Sequence, residues 1–421
     1  MSLQNNGSFI PHGSSEKTPG NLQGVVLILP ITLTVMGAVL LAPIVPQLML
    51  AFGDTPNAHY LVPMLLSLPA LCIALGAPFA GWLADRVGRR KLLIGAMLVY
   101  GFCGISPIFL DSYWAIFTSR LGVGLCEAVV ITCSTTLIGD YFSGDQRDKW
   151  LGSQAALASL TAMCLFPLAG YLGSVYGWRG PFAIYGLSLV MLVGVLLFTW
   201  DVCPELAEKG DRNTPVSKEQ DQLPWLHMLK VCAYTLIGGI FFYILQFQMS
   251  SALGSFDISN SAVTGWLLAF ASIGVPAGAI FYRYAHHHFS IRNLIAIEFG
   301  ILALGFVSMT HAPSYQWFVV AGFLNQFGAG MLLPTLLTWA VAPLNFSVRG
   351  RGTGIWQSTF ALGQFATTLI FAWVVSMVGS ENYLASFQVF GVVALLVCVS
   401  SVVLLPNIQA GNGNGLTHHT H

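Results

Sequence analysis

Long stretches without Asp, Glu, Lys or Arg constrain this chain more than any other feature. Between Lys17 and Asp54 there are 36 such residues, and between Lys149 and Arg179 there are 29. About 20 apolar residues, at ~1.5 Å each, cross a ~30 Å hydrocarbon core as a helix. The strands of a membrane barrel would alternate polar and apolar residues in pieces of ~10, and these stretches do not alternate. The pattern predicts an all-α membrane protein.

The composition excludes several other classes. Charged residues make up 8% of the chain and hydrophobic residues 55%, whereas a soluble domain has about 25% charged residues. With 17 basic and 17 acidic residues, no net charge attracts a polyphosphate, so we expect no nucleic-acid partner. The eight cysteines form no CxxC pair, which argues against zinc or a disulfide framework. We expect no metal and no cofactor.

Twelve apolar spans, each bounded by polar residues, account for the chain. They cover residues 23–50, 60–84, 91–110, 113–138, 150–174, 180–200, 226–250, 261–283, 291–310, 314–341, 351–378 and 384–405. We predict an N-terminal six-helix bundle over 22–200 and a C-terminal six-helix bundle over 225–406. A polar linker at 201–224 separates the bundles, and the predicted tails are 1–21 and a flexible 407–421.

The basic residues predict the orientation of these spans, because Lys and Arg are enriched in cytoplasmic loops. With a cytoplasmic N-terminus, 15 of the 17 Lys and Arg residues fall on the inner side. Arg179 lies outside, and Arg120 lies within the fourth span. We therefore predict a multi-pass protein of a bacterial inner (plasma) membrane with both termini in the cytoplasm.

The two halves of the sequence resemble each other weakly. When the first half is shifted by 197 residues, Gly81, Arg86 and residues 89–91 align with Gly278, Arg283 and the histidines at 286–288. When it is shifted by 206 residues, Gly122 and Gly124 align with Gly328 and Gly330. Internal repeats are common in secondary transporters. The two bundles are therefore predicted to be pseudo-symmetric.

The most specific motif lies between the second and third spans, where residues 81–93 read GWLADRVGRRKLL. This segment resembles the best-known signature of the major facilitator superfamily. The resemblance implies that Asp85 lies near the N-terminal end of span eleven, where the helix dipole favours negative charge, and that Arg89 meets Asp140. The inner gate that it implies comprises Gly81, Asp85, Arg86, Gly88, Arg89, Arg90 and Asp140. The alternative is an ordinary basic cytoplasmic loop.

The fourth span carries two charged residues, Arg120 and Glu127. Seven residues correspond to nearly two helical turns, so both side chains project from one face. Buried charges in a membrane are costly and usually mark a functional site, and a carboxyl in an apolar site holds its proton more tightly than in water. The stretch is similar to the fourth-span motif of the same superfamily, which implies proton coupling; Val123 replaces its usual glutamine. The alternative is a structural ion pair or packing contact.

Span five contains the segment FPLAG at residues 166–170. It is similar to the Gly-Pro-x-x-Gly-Gly element of superfamily antiporters, although Phe166 and Ala169 depart from it. Pro167 and Gly170 are retained, and the proline loosens the helix. The resemblance implies an antiporter of the drug/proton branch.

Polar side chains in the spans are candidates for a central substrate cavity. Gln357, Ala361, Gln364 and Thr368 recur every three or four residues and form one stripe on span eleven. The other candidates are Gln154, Thr161, Tyr243, Gln246, Asn325 and Gln326. For each of them, an interhelical hydrogen bond that only stabilises packing is the alternative.

Two further features have simpler interpretations. Glu298 is expected to extend to the inner interface from about seven residues inside span nine; a role in proton transfer is the alternative. The three histidines at 286–288 resemble a metal-binding tract but occupy the repeat position of a basic loop, so we expect them to be solvated.

These features predict a secondary active transporter, not an enzyme. The sequence contains no GxxxxGK phosphate-binding loop, so an ion gradient is the expected energy source. Our leading hypothesis is a proton-coupled antiporter that exports a small apolar or amphipathic molecule by alternating access. The alternative is a proton-coupled symporter that imports a small organic acid or sugar. The expected partners are this substrate, protons and the lipid bilayer, and we expect a monomer.

Overall fold

The computed structural model describes residues 19–201, 223–379 and 383–405. The elements in these ranges are α-helices and short 3-10 helices. The predicted tails and linker lie almost entirely outside the described residues.

Fifteen α-helices follow one another along the described chain. Their bounds are α1 Asn21–Ile28, α2 Ile31–Val39, α3 Val45–Phe52, α4 Ala58–Val87, α5 Arg89–Ile105, α6 Tyr113–Tyr141, α7 Gly144–Tyr176, α8 Leu187–Phe198, α9 Trp225–Leu253, α10 Ser261–Ser272, α11 Gly274–Ala285, α12 Ile291–Thr310, α13 Tyr315–Val341, α14 Phe346–Val378 and α15 Ala385–Leu404. The 3-10 helices include Ala42–Ile44 and Gly177–Gly186.

The helices in the described ranges form 11 segments that are long and apolar enough to cross a membrane. One of them, Gly144–Phe198, has 55 residues and contains both α7 and α8. It therefore includes the fifth and sixth predicted spans. The all-helical membrane fold is confirmed.

The first span is not the single helix that the sequence predicts. It consists of α1, α2, a 3-10 turn and α3, with Pro30 between α1 and α2 and Pro43 and Pro46 at the starts of the two later elements. Proline has no backbone N–H and its ring clashes with the preceding turn of a helix. The apolar stretch was correctly interpreted as a membrane span, but the interruptions of its helix at the prolines were not predicted.

The boundaries of the fifth and sixth spans also differ from the prediction. Helix α7 begins at Gly144 rather than at residue 150, and Asp145 lies in its first turn, where the helix dipole favours an acid. The helix thus extends beyond its apolar part. Residues Gly177–Gly186 form a 3-10 helix because this stretch contains three glycines and Pro181, which are poor α-helix formers.

The pseudo-symmetry is visible in the packing of the aligned glycines. Added Cβ atoms on Gly122 and Gly328 would press against α5 and α12, respectively, and on Gly124 and Gly330 against α4 and α11. Each pair therefore fills the same role in its own bundle. The duplicated architecture is confirmed.

The end of the molecule where α4 meets α5 carries most of the basic residues and is named the basic face. Hydrogen bonds between the described parts of the two bundles lie in the half remote from it. They join Gln47 to Ser261, Ser67 to Thr368, Ser250 to the Ala42 carbonyl, and Ser261 to the Gly170 carbonyl. The bundles are thus closed against each other at the end opposite the basic face.

Candidate functional site

A polar cluster lies inside the N-terminal bundle and is named the Arg120–Glu127 cluster. It comprises Arg120 and Glu127 on α6, Tyr100 on α5, and Tyr185 on the 3-10 helix before α8. Arg120 is 0% exposed and Glu127 1% exposed. The spacing on the fourth span therefore brings both charged side chains into the interior, as expected.

Arg120 is only partly satisfied in this cluster. Its Nη1 donates to Tyr185 Oη at 2.6 Å, and its guanidinium carbon lies 5.2 Å from the centre of the Phe182 ring. Its Nε and Nη2 atoms have no hydrogen-bond partner among the described residues. Arg120 interacts electrostatically with Glu127, but the two do not form one of the ion pairs of the described chain. The structural ion pair considered for these residues is therefore not formed in this state.

Glu127 lies at the middle of α6, between α5 and α2. Tyr100 Oη donates to the Leu33 carbonyl at 2.5 Å and lies 3.4 Å from Glu127 Oε1. A Cβ atom on Gly37 of α2 would collide with the Glu127 carboxyl. The carboxyl therefore occupies space that only a glycine leaves open.

Glu127 also reaches the other bundle, because it interacts electrostatically with Tyr243 on α9. Tyr243 belongs to an α9–α14 aromatic cluster, whose members are Phe242, Tyr243, Phe247, Trp356 and Phe360. Trp356 is 7% exposed, and its indole nitrogen has no hydrogen-bond partner among the described residues. Glu127 of one bundle is thus within electrostatic range of one member of a largely buried aromatic cluster of the other.

The polar stripe predicted on span eleven faces the N-terminal bundle. Ala361 packs in a small cluster with Ile73, Ala74 and Ala128, and Thr368 shares a 2.7 Å hydrogen bond with Ser67. Gln357 and Gln364 lie on the same face of α14 by their spacing. Ala361 and Thr368 therefore lie on the side of α14 that contacts the N-terminal bundle, and the role of the stripe in a cavity stays a prediction.

Four of the other cavity candidates bond within their own bundle. Gln154 Nε2 lies 3.4 Å from Ser134 Oγ on α6, and Asn325 Nδ2 donates to the Leu302 carbonyl on α12 at 3.4 Å. Gln246 of α9 donates to Gln326 of α13 at 3.1 Å. Each contact joins neighbouring helices, which is the packing role considered for them.

Thr161 lies elsewhere, in a crevice of about 230 Å³ between α2, α7 and α8. The crevice is also lined by Thr32 and Met36. Thr161 donates its hydroxyl to the Leu157 carbonyl of its own helix at 2.7 Å. None of these contacts places Thr161 near Tyr243 or the stripe on α14.

The basic loop contains the gate residues predicted from the motif. Gly88 has φ +95°, a conformation that favours glycine, and it separates α4 from α5. Arg89 forms an ion pair with Asp140 at the end of α6, as the resemblance implies, and a second one with Asp85 at 3.4 Å. The Asp85 side chain is 70% exposed. In this state Asp85 therefore pairs with Arg89 on its own side of the molecule.

The remaining gate residues have simpler local contacts. Arg90 donates from Nε to Thr199 Oγ1 at 2.9 Å, which ties the loop to the end of α8. The Arg86 guanidinium carbon lies 4.1 Å from the centre of the Trp82 ring. A Cβ atom on Gly81 would meet nothing within 4 Å, so close packing does not explain that glycine here.

The antiporter-like segment of span five lies at the contact between the bundles. Gly170 of α7 crosses Gly265 and Ser261 of α10 so closely that a Cβ atom on either glycine would collide with the facing backbone. Pro167 lies against Gly265 in the same contact. This contact is named the α7–α10 glycine seam.

Glu298 does not extend to the interface, so that prediction is wrong. It is 0% exposed, and its Oε1 lies 2.5 Å from Thr335 Oγ1 on α13. Packing of α12 between α13 and α15 encloses the carboxyl. Of the histidine tract, His286 Nδ1 lies 3.2 Å from the Tyr282 carbonyl, and no group of three metal-ligating side chains occurs in the described residues.

The sequence analysis missed Gly37, Tyr100, Tyr185 and Thr335. Each lies in an apolar span, has no charge and follows no distinctive spacing. Only tertiary packing brings them to the carboxyls. Two tyrosines inside apolar spans were the available signal, because a buried phenol needs a hydrogen-bond partner.

Comparison with known proteins gives matches along most of the chain. The model of the Major Facilitator Superfamily matches residues 27–310 and 231–418. The chain is 26% identical over 329 residues to the tetracycline resistance protein, class C, of Escherichia coli, covering 73% of this chain and 78% of that protein. It is 24% identical over 231 residues to a probable sugar efflux transporter of Pasteurella multocida. That match covers 54% of each protein, so the chain spans about half the length of this relative.

Among solved structures, the D-xylose-proton symporter superposes with a TM-score of 0.77 at 14% identity, covering 94% of this chain and 99% of that chain. At this identity the similarity concerns the fold. The family model covers well over half of the sequence. The chain therefore belongs to the Major Facilitator Superfamily, and it is an integral multi-pass membrane protein.

Proposed function

We propose that this protein is a proton-coupled antiporter that exports a small apolar or amphipathic molecule by alternating access. The observation that carries the proposal is the position of Glu127, which is buried beside Arg120 and within electrostatic reach of Tyr243 on the other bundle. One carboxyl thus connects a titratable network to the aromatic surface of the opposite bundle.

The orientation is part of the proposal. We assign the basic face to the cytoplasm of a bacterial inner membrane, because Lys and Arg are enriched in cytoplasmic loops. Both termini then lie in the cytoplasm. Since the bundles are hydrogen-bonded in the half remote from the basic face, the structure corresponds to an inward-facing state. Asp85, exposed here, would engage span eleven when the inner side closes.

Proton binding at Glu127 changes the charge that Arg120 experiences. When Glu127 is ionised, the free Nε and Nη2 donors of Arg120 are attracted to it; when it is protonated, this attraction disappears. Charge interactions inside a protein are stronger than in water because the local dielectric is low. A proton entering or leaving Glu127 therefore favours different arrangements of α6 relative to α9.

The substrate class follows from the α9–α14 aromatic cluster. Its rings are largely buried in this structure, and we propose that they supply apolar contact area when the site opens, with the unpaired indole N–H of Trp356 as one hydrogen-bond donor. Such a surface suits a mainly apolar molecule with a polar acceptor. The match to a tetracycline resistance protein supports export of a compound of this kind, and the match to a probable sugar efflux transporter also supports export.

Everted membrane vesicles test the function. An acid interior should drive uptake of tetracycline by the antiporter, whereas a symporter would release substrate under the same gradient; D-xylose serves as the hydrophilic comparison. With the membrane potential clamped, Glu127→Gln should reduce the accumulation supported by each pH unit about tenfold, since one coupled proton contributes ~1.4 kcal/mol per unit. Glu127→Asp, which retains a carboxyl, is the matched control. An unchanged pH response in Glu127→Gln would reject the coupling role.

A further inference from the structure

Glu298 is a second buried carboxyl, and the proposed transport cycle does not use it. It is fully buried, its Oε2 has no hydrogen-bond partner among the described residues, and its Oε1 contacts Thr335 alone. None of the ion pairs of the described chain includes it. An ionised carboxyl without a partner in such a site is costly, so this environment favours the protonated acid.

The elements around Glu298 provide no cationic group that contacts it in the described chain. Helix α11 contributes Tyr282, which interacts electrostatically with Glu298, and α13 contributes the Thr335 hydroxyl. Helix α15 places the Cys398 thiol near Gly300, two residues after Glu298 on α12, and α9 packs Phe241 against Phe299. These groups leave the charge of the carboxyl uncompensated.

Thr335 can stabilise the carboxyl in either protonation state. Its Oγ1 lies 2.5 Å from Glu298 Oε1 and 3.1 Å from the Met331 carbonyl. A hydroxyl has one hydrogen and can donate to only one of these oxygens at full strength. When Glu298 is protonated, it donates to Thr335, which donates to Met331; when it is ionised, Thr335 donates to it instead.

Polar groups lie between this pair and the basic face. Thr338 lies one turn after Thr335 on α13, and its hydroxyl is 2.9 Å from Tyr282 Oη. Tyr282 is near the end of α11, and its carbonyl contacts His286 of the loop. Glu298 lies only seven residues after the start of α12, about 10 Å along the helix.

We propose that Glu298 and Thr335 form a second proton-binding site, in the C-terminal bundle, which exchanges its proton with the basic face past Tyr282. The site binds one proton as the Glu298 carboxyl changes between COO⁻ and COOH. Only the transport test of this inference rests on the proposed function. The test of proton binding uses the purified protein and does not depend on it.

Infrared titration of the full-length protein in lipid nanodiscs tests the binding site directly. Wild type should show a protonated-carboxyl C=O band that disappears reversibly as the pH is raised and is absent in Glu298→Gln. Thr335→Val should shift this band, whereas the hydroxyl-retaining Thr335→Ser should leave it near its original position. Tyr282→Phe should slow its hydrogen–deuterium exchange. A band set identical in Glu298→Gln and wild type would overturn the proposal.

Transport stoichiometry forms the second arm. With the potential clamped, two coupled protons support roughly hundredfold accumulation of a neutral substrate per pH unit, and one supports about tenfold. Glu298→Gln should therefore lower the ratio about tenfold. An unchanged ratio would also overturn the proposal. If wild type transports no substrate against the gradient, the proposed function fails, while the infrared band still decides whether Glu298 binds a proton.

Discussion

The two bundles each bury one carboxyl, but they surround it differently. In the N-terminal bundle the acid is Glu127 on α6, and the nearby hydroxyl, Tyr100, is on α5. In the C-terminal bundle the acid is Glu298 on α12, the counterpart of α5, and the hydroxyl is Thr335 on α13, the counterpart of α6. The pseudo-symmetric helices have exchanged donor and acceptor.

The difference concerns charge. Glu127 has Arg120 within electrostatic range and Tyr243 across the bundle interface, so its ionised form has a compensating cation. Glu298 has one hydroxyl and no cationic partner among the described contacts. We infer that the first carboxyl responds to the substrate, whereas the second responds mainly to the proton concentration on the side to which the transporter is open.

Combining the two glutamine variants gives the largest expected effect on this comparison. Glu127→Gln together with Glu298→Gln should abolish accumulation, a change of about hundredfold per pH unit relative to wild type. Substrate affinity should change in Glu127→Gln only, because Tyr243 is close to Glu127. Flux in vesicles and substrate binding to purified protein measure these effects. Equal changes of affinity in the two single variants would remove the distinction between the carboxyls.

Glycines beside the two carboxyls provide the second test. Gly37→Ala places a Cβ atom into the Glu127 carboxyl, and overpacking of this kind costs about 1–3 kcal/mol. Gly300→Ala on α12 would place its Cβ 3.8 Å from Cys398 Sγ, an ordinary contact, and should change stability by less than ~0.5 kcal/mol. Thermal unfolding of the purified variants compares them. A loss of stability in Gly37→Ala as small as that in Gly300→Ala would show that Glu127 moves aside freely.

Removing the hydroxyl beside each carboxyl should have smaller effects. Thr335→Val leaves a buried carboxyl without its hydrogen bond and should cost about 1–3 kcal/mol. Tyr100→Phe should lower the free energy of unfolding by only about 0.5–1.5 kcal/mol, because the electrostatic attraction between Arg120 and Glu127 remains. Denaturation of both variants in the same detergent gives the difference. A larger loss in Tyr100→Phe would contradict the view that Glu127 has the richer environment.

The smallest expected effect on stability is at the basic face of the N-terminal bundle. Asp85→Asn removes an exposed ion pair with Arg89, which contributes about 0–1 kcal/mol. The variant should nevertheless shift the population toward the inward-facing state, because a closed inner gate would lose its acid. Accessibility labelling of single cysteines on both faces measures this shift. Asp145→Asn, an exposed acid at the same face, is the control and should leave the populations unchanged.

Much of the fold could be predicted from the sequence because membrane helices are determined by apolar length. The spans and the duplication were predicted on that basis, and aligned glycines such as Gly124 and Gly330 indeed pack alike. The divided first span and the early start of α7 were not predicted, because prolines and polar first turns change helix geometry without changing mean apolarity.

The candidate site was predictable only in part. Arg120 and Glu127 were recognisable because a charge is rare within an apolar span. The predicted position of Glu298 was wrong. Its short distance from the helix end suggested an exposed carboxyl, and the packing of α13 and α15 around it could not be derived from the sequence. Tyr100 and Thr335 gained their roles through contacts between helices, which no local pattern indicates.

The α7–α10 glycine seam has a kinetic consequence. Where Gly170 and Gly265 meet, backbone touches backbone and no large side chains interlock, so relative sliding of the two helices there requires no rotamer changes. Apart from the Ser261–Gly170 hydrogen bond in the seam, we expect the speed at which the halves reorient to be set by the contacts that must break at either end of the molecule.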